Sequence, residues 1–456
     1  MDVEGGSLAS GYAVGLIILA LGLGVLTIRV RYQQKLEERN VSGGTEIVVT
    51  DDFKRFQWTF MSVYLGALLT DWFQAAYLFI LLREYHPERF VVRMYLAGVV
   101  SQLLLSVLLE VMGGFISHKW RCAGCLALQA ASALLLLHPA FGGLVTSRVL
   151  GGFAGSLLHS SFEAWMVEQH VGQGFPLDWF THTFNRLSVA MSFLAVTLGP
   201  AVMAAHDFAG GNLGPFKISL LITAISALFL LSWRRDTNKP CPACADTGRL
   251  LSLAASALAA GDKVALISAA QGCFEAASFA FSMLWTPLII TVAKDVEELP
   301  WGLAFSQQLV CVMIGSALFK LVTALSPGTT AERMCVVASA GGAFCFFTIA
   351  MGPTLSGMQC ALLGFEVCAG IYLNAMGVMR SKYIPQEVRG LVLGTSKLII
   401  TTALFVLLLY FSEVRSLATG ACGVLLAAAA VLTLQASSSA GDDGGDEESA
   451  ALAQRR

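Results

Sequence analysis

Long runs without a charged side chain constrain this chain more than any other feature. Residues 5–28, 94–109, 122–147, 187–206, 218–233, 276–293, 299–319, 334–365 and 416–441 contain no Asp, Glu, Lys or Arg. Other apolar stretches are joined across single charges at Asp71, Arg148, Glu163, Arg186, Glu275, Glu366 and Lys397. A helix of about 20 apolar residues crosses the hydrocarbon core of a bilayer. The runs are continuous and rich in Leu and Ala rather than alternating, so they read as helices and not as barrel strands. Composition bears on what else is excluded. Charged residues make up 13% of the chain, against roughly 25% in soluble domains, too few to build a wet surface. The net charge of −2 leaves no basic footprint for nucleic acid. A soluble enzyme, a nucleic-acid binder and a disordered scaffold are all excluded, and the lipid bilayer is the expected surrounding.

The predicted spans lie near 9–28, 56–82, 92–116, 122–139, 141–167, 179–205, 216–233, 263–292, 301–325, 334–352, 356–380, 390–410 and 416–435. Asp2 and Glu4 precede the first span and Arg29, Arg31, Lys35 and Arg39 follow it. A secretory signal has the opposite polarity, so this is read as a retained anchor with its N-terminus outside. With residues 29–55 in the cytoplasm, nineteen of the 29 Lys and Arg fall in cytoplasmic segments, six in outer segments and four within helices. That asymmetry sets the orientation. The domain organisation is then an anchor helix and cytoplasmic linker (1–55), an N-terminal six-helix half (56–233), a polar central loop (234–262), a C-terminal six-helix half (263–435) and an acidic tail (436–456) expected to be disordered. The expected site is the cell membrane, as a monomeric multi-pass protein.

A repeat runs beneath the two halves. Phe-Glu occurs three times, at Phe162-Glu163, Phe274-Glu275 and Phe365-Glu366, each inside an apolar span, and Asp71 sits inside an earlier one. Asp71 and Glu163 are 92 residues apart, and Glu275 and Glu366 are 91 apart. One membrane acid therefore opens every three-helix unit, four times over. Charges also occur on the second helix of each unit (Glu110, Arg186, Lys320, Lys397), and the third helices carry none in their interiors. A charge in lipid costs at least about 2.5 kcal/mol, so first and second helices are expected to line a polar path and third helices to face lipid. Paired inverted units of this kind are a transporter architecture.

Within that frame the chain resembles the major facilitator superfamily, and in it the molybdate-anion transporters of eukaryotes. The likeness is carried by Phe56-Gln57 and by Thr70-Asp71-Trp72-Phe73-Gln74-Ala75-Ala76-Tyr77-Leu78. It continues in Arg148-Val149-Leu150-Gly151-Gly152, Ser161-Phe162-Glu163-Ala164-Trp165 and Phe184-Asn185-Arg186. Phe274-Glu275, Leu284-Trp285-Thr286-Pro287 and Ile384-Pro385 complete the set, which covers roughly 53–415. The resemblance implies a 6+6 helix bundle of four three-helix repeats with one extra N-terminal helix, and uptake of molybdate by alternating access. The superfamily's loop after its second helix departs here. Gly113-Gly114-Phe115-Ile116-Ser117-His118-Lys119-Trp120-Arg121 has Ser117 near the usual Asp position and keeps only the Arg. Gly199-Pro200 is a fragment of an antiporter signature and does not argue for exchange.

Molybdate is a tetrahedral dianion and needs cations or N–H donors. Arg148, Arg186 and Lys397 are the candidate substrate cations, the arginines through a bidentate fork and the lysine as a point charge. The competing reading is that each neutralises a membrane acid. Gln74, Tyr77, Tyr372 and Asn374 are polar positions near the acids and candidate cavity lining. Asp71, Glu163, Glu275 and Glu366 are assigned to pairing, gating or coupling, with a proton as the candidate coupling ion. Arg148 and Glu163 are about 22 Å apart along one helix and cannot pair with each other. Cys122/Cys125 and Cys241/Cys244 form C-x-x-C pairs without further His or Cys to complete a zinc site. No metal or cofactor is expected. No phosphate loop or nucleophile elbow occurs, so enzyme chemistry lacks a site. Sulfate or an organic anion is the alternative substrate, and a non-transporting receptor or scaffold is the alternative class. Costly membrane charges favour transport.

Overall fold

A computed structural model describes residues 2–41, 50–111, 116–176, 179–233, 252, 256, 262–293, 296, 299–326, 328–384, 389–410 and 415–453. The Cys241/Cys244 pair and nearly all of the central loop lie outside them. Among the described residues there are thirteen α-helices: α1 Asp2–Val41, α2 Asp51–Tyr85, α3 Glu88–Val111, α4 His118–Leu136, α5 Phe141–Gly172, α6 Phe180–Ala209, α7 Gly214–Leu231, α8 Asp262–Val292, α9 Trp301–Leu325, α10 Ala331–Ala350, α11 Leu355–Tyr383, α12 Arg389–Tyr410 and α13 Arg415–Ala453. Each predicted span falls on one helix. Eleven are long and apolar enough to cross a membrane. The others are α4, which opens on the polar His118-Lys119-Trp120-Arg121, and α12, whose apolar part is the shorter Leu391–Val406. The helix α13 runs on through the acidic tail to Ala453. Ala450, Ala451, Leu452 and Ala453 at its end are strong helix formers.

The chain divides into two compact units, 1–245 with 290–314, and 246–289 with 315–456. The division departs from the expected halves, because the first part of α9 belongs with the first unit. The reason is a crossing of α6 and α9 at two glycines. A side chain on Gly199 would start 3.0 Å from the Gly302 carbonyl oxygen, and one on Gly302 would start 2.8 Å from that of Gly199. Ser306 Oγ adds a hydrogen bond to the Ala195 carbonyl. Small residues allow this approach where lipid supplies no hydrophobic drive. The extra helix joins the same unit: Gln307 Nε2 donates to the Tyr12 carbonyl at 2.7 Å, and Asn185 Nδ2 to Gln34 Oε1 at 3.3 Å.

In the first unit α3 packs on α5, α4 on α5 and α7, and α2 on α7; in the second, α10 packs on α11 and α13. The third helix of each three-helix group exposes an apolar face: Leu134 on α4, Leu221 and Leu228 on α7, Val337 and Phe344 on α10, Val424 and Val431 on α13. That is the side a lipid chain accepts. An aromatic cluster closes one end of the first unit. Trp165 stacks on Trp233 at 3.6 Å, Phe56 and Phe60 lie beside Trp165, and His170 is wedged against Phe53, Phe175 and Phe180. Trp233 Nε1 donates to the Thr59 carbonyl at 3.0 Å, which ties the end of α7 to α2.

Candidate functional site

Within the first unit, charged and polar side chains are open within spans. Asp71 on α2, His159 and Glu163 on α5 and Arg186 on α6 are all exposed. Side chains of this kind do not face hydrocarbon, so they mark a wet surface. Arg148 is half-buried on α5. Its guanidinium carbon lies 5.1 Å from the centre of the Tyr95 ring, and its Nη2 and Nε lie against Gly98 of α3. A side chain at Gly98 would begin 3.2 Å from Nη2, so the glycine spares the guanidinium a tight contact. Arg148 Nε is buried without a hydrogen-bond partner, and among the described residues no carboxylate lies within ion-pair distance of Arg148. Asp71 feels the charges of Arg148 and His159, and Glu163 acts on Tyr64 across the α2–α5 contact.

The other predicted residues of this unit are placed differently. Arg186 Nη1 donates to Gln57 Oε1 at 2.8 Å, and Gln57 Nε2 donates to Thr183 Oγ1 at 3.0 Å. Its partner is therefore a neutral amide, and among the described residues no carboxylate lies within ion-pair distance of it. Gln74 is half-buried and makes no hydrogen bond to another described residue. Tyr77 is buried and stacks on His206 at 5.2 Å, which is packing between α2 and α6.

In the second unit, Lys397 on α12 forms an ion pair with Glu275 on α8, and the ammonium lies 5.0 Å from the centre of the Phe279 ring. Gln271 Nε2 donates to the same carboxylate at 2.6 Å. This is the neutralising arrangement, not an open cation. Asn374 spends its amide on Ser316 Oγ at 3.0 Å and on the Gly370 carbonyl at 2.9 Å. Tyr372 is buried and stacks on Phe274 at 3.5 Å. Glu366 on α11 and Lys320 on α9 are half-buried and have no ion-pair partner among the described residues. The superfamily loop keeps Arg121, whose Nε donates to the Ile116 carbonyl at 3.0 Å. Cys122 and Cys125 are buried, and Cys125 Sγ reaches the Ala154 carbonyl; they are core residues. Sequence reasoning missed His159, Tyr95 and Gly98. A histidine eleven residues after Arg148 and four before Glu163, on one face of a nearly charge-free helix, was the available signal for the first.

Comparison with known proteins decides the family. A family model described as sugar transporters with 12 transmembrane segments, within the major facilitator superfamily, matches residues 33–368. A molybdate-anion transporter of Danio rerio is 30% identical over 419 residues, covering 84% of this chain and 85% of that protein. This chain belongs to the molybdate-anion transporter family of the major facilitator superfamily. The Xenopus tropicalis molybdate-anion transporter is 29% identical over 342 residues, 74% of each chain. In fold, a crystal structure of a mutant of the nucleoside transporter NupG aligns with a TM-score of 0.62 at 14% identity, covering 84% of this chain and 98% of that one. The chain is thus a multi-pass membrane transporter with the major facilitator fold.

Proposed function

We propose that the protein takes molybdate into the cell across the cell membrane by rocker-switch alternating access. The observation that carries this reading is Arg148: a half-buried guanidinium in a membrane span, with no carboxylate at ion-pair distance among the described residues and a glycine on α3 beside it. A guanidinium held this way, without a carboxylate in direct contact, is suited to a tetrahedral dianion, since two N–H groups of one fork meet two oxyanion oxygens. Arg186, bonded only to a neutral amide, is the second candidate donor, and Gln74 supplies an uncommitted amide. The relatives named molybdate-anion transporters support the choice of anion. Lys397 is assigned to Glu275 as its counter-ion, and Tyr77, Tyr372 and Asn374 to packing. Glu163 and Glu366 remain candidates for gating.

The test is uptake in cells without their own molybdate carriers. Saturable accumulation above an empty-vector control is expected, reduced by competing oxyanions in order of their similarity to molybdate. Surface protein without accumulation above control overturns molybdate as substrate, and sulfate then becomes the next anion to try.

A further inference from the structure

We infer that Gln57 is a positioning residue for anion transport: its neutral amide holds the Arg186 fork in place while leaving the guanidinium its charge for the substrate. The inference rests on the transport reading above and adds the residue that keeps the second candidate donor usable. Its basis is a short directed chain of hydrogen bonds between α2 and α6. Arg186 Nη1 donates to Gln57 Oε1 at 2.8 Å, and Gln57 Nε2 donates to Thr183 Oγ1 at 3.0 Å. A guanidinium can only donate, so the amide oxygen must face it and the amide nitrogen must face Thr183. Gln57 is 1% exposed and Thr183 is fully buried, so water has little access to the bond between them. Phe53 and Trp179, each four residues before a member of the chain, pack on each other at 4.8 Å. Arg186 itself is exposed. With Nη1 committed, its Nε and Nη2 make no hydrogen bond to another described residue, and that edge can meet two oxygens of an oxyanion side by side.

The second unit contains the alternative. In chain order, α2 and α6 are the first and fifth helices after the extra one, and α8 and α12 are the first and fifth of the following six. Lys397 on α12 meets the Glu275 carboxylate on α8, whereas Arg186 on α6 meets the Gln57 amide on α2. A cation reaching from a fifth helix to a first helix therefore finds a carboxylate in one unit and an amide in the other. A carboxylate offsets the charge it holds, and an amide holds by hydrogen bonding alone. A dianion that approaches Arg186 meets a cation with no carboxylate at ion-pair distance among the described residues. One that approaches Lys397 meets a pair whose charges cancel. The choice between the two behaviours is made by a single group, the amide nitrogen of Gln57 in place of a carboxylate oxygen.

The experiment measures molybdate uptake kinetics, normalised to surface protein, for wild type, Gln57→Glu, Gln57→Leu, Arg186→Gln and the double variant Gln57→Leu/Arg186→Gln. Melting temperatures of the purified proteins are recorded alongside. Gln57→Glu is isosteric and turns the contact into an ion pair, and the Thr183 hydroxyl can turn to donate to the new carboxylate. This variant is expected to melt at or above the wild-type temperature and to bind molybdate roughly tenfold more weakly or worse, the loss of a charge-assisted contact. Gln57→Leu leaves the guanidinium unheld and should weaken apparent affinity several-fold. Added to Arg186→Gln, it should change affinity no further. A purely structural bond gives a different result, because Gln57→Glu would hold Arg186 at least as well and keep wild-type affinity. That outcome overturns the inference, as does wild-type affinity in Arg186→Gln or an additive loss in the double variant. Should wild type accumulate no molybdate, the transport reading fails separately. The role of Gln57 is then read from melting in sulfate, which should stabilise wild type and not Gln57→Glu. Equal shifts in the two proteins, or none in either, overturn it.

Discussion

A cation inside a span must be received by something polar or wet, and the three cations singled out in the sequence are received in three ways. Arg148 has an aromatic ring and a bare glycine, Arg186 a neutral amide, and Lys397 a carboxylate. Two predictions separate these roles. Arg148→Lys keeps the charge and loses the fork. It should reach the surface normally and show a molybdate affinity roughly 10- to 150-fold weaker, the equivalent of about 1.5–3 kcal/mol for a charge-assisted contact. Kinetics normalised to surface protein decide it, and wild-type affinity would rule out a substrate contact. Lys397→Gln leaves Glu275 as an unpaired carboxylate in a poorly solvated place. Its cost, about 3 kcal/mol, should appear as lost surface expression and a lower melting temperature. Adding Glu275→Gln should restore most of the loss, and a double variant no better than the single would refute pairing. All three cations were legible in the sequence as rare charges in apolar runs. Their partners were not. Glu275 lies 122 residues from Lys397 and Gln57 lies 129 from Arg186, and periodicity along one helix carries no information about a neighbour that distant.

At the scale of helices, glycine sets how closely pairs approach. Gly152 has no space for even a methyl group against Gly98 and Ser101. Overpacking typically costs about 1–3 kcal/mol where neighbours yield, and here one obstacle is backbone. Gly152→Ala should therefore destabilise the α3–α5 contact enough to lower the melting temperature of purified protein by several degrees. Gly142→Ala, with open space around it, is the control expected to be neutral. Equal behaviour of the two would mean that the α3–α5 approach is looser than described. The helices themselves were legible, because a run of apolar residues in lipid has only one local solution for its backbone. Which glycines meet which backbone was not, and the same gap explains why α9 packs first against α6 rather than within a clean second half. The aromatic cluster around Trp165, Trp233 and His170 was likewise hidden, since its members come from α2, α5, α6 and the end of α7.

For the whole molecule, we propose from the balance of Lys and Arg a topology with the N-terminus outside and residues 29–55 in the cytoplasm. The chain has a single Asn-x-Ser/Thr sequon, Asn40-Val41-Ser42, which that topology keeps from the glycosylation machinery. Glycosidase treatment should leave the protein's mobility unchanged, and Asn40→Gln should migrate like wild type. A glycosidase-sensitive shift abolished by Asn40→Gln would invert the topology.

The sequence by itself determined the class, the thirteen helices, the repeat marked by Asp71, Glu163, Glu275 and Glu366, and the family. Each of these depends on what a stretch of chain must do alone: satisfy its backbone in hydrocarbon, and hide or use every charge. The tertiary structure decided which charges compensate one another. It closed Lys397 on Glu275, gave Arg186 the neutral amide of Gln57, and among the described residues left Arg148 with no carboxylate at ion-pair distance. Compensation depends on distances across helices of a few ångström, and those are fixed only when the glycine contacts have brought the helices together.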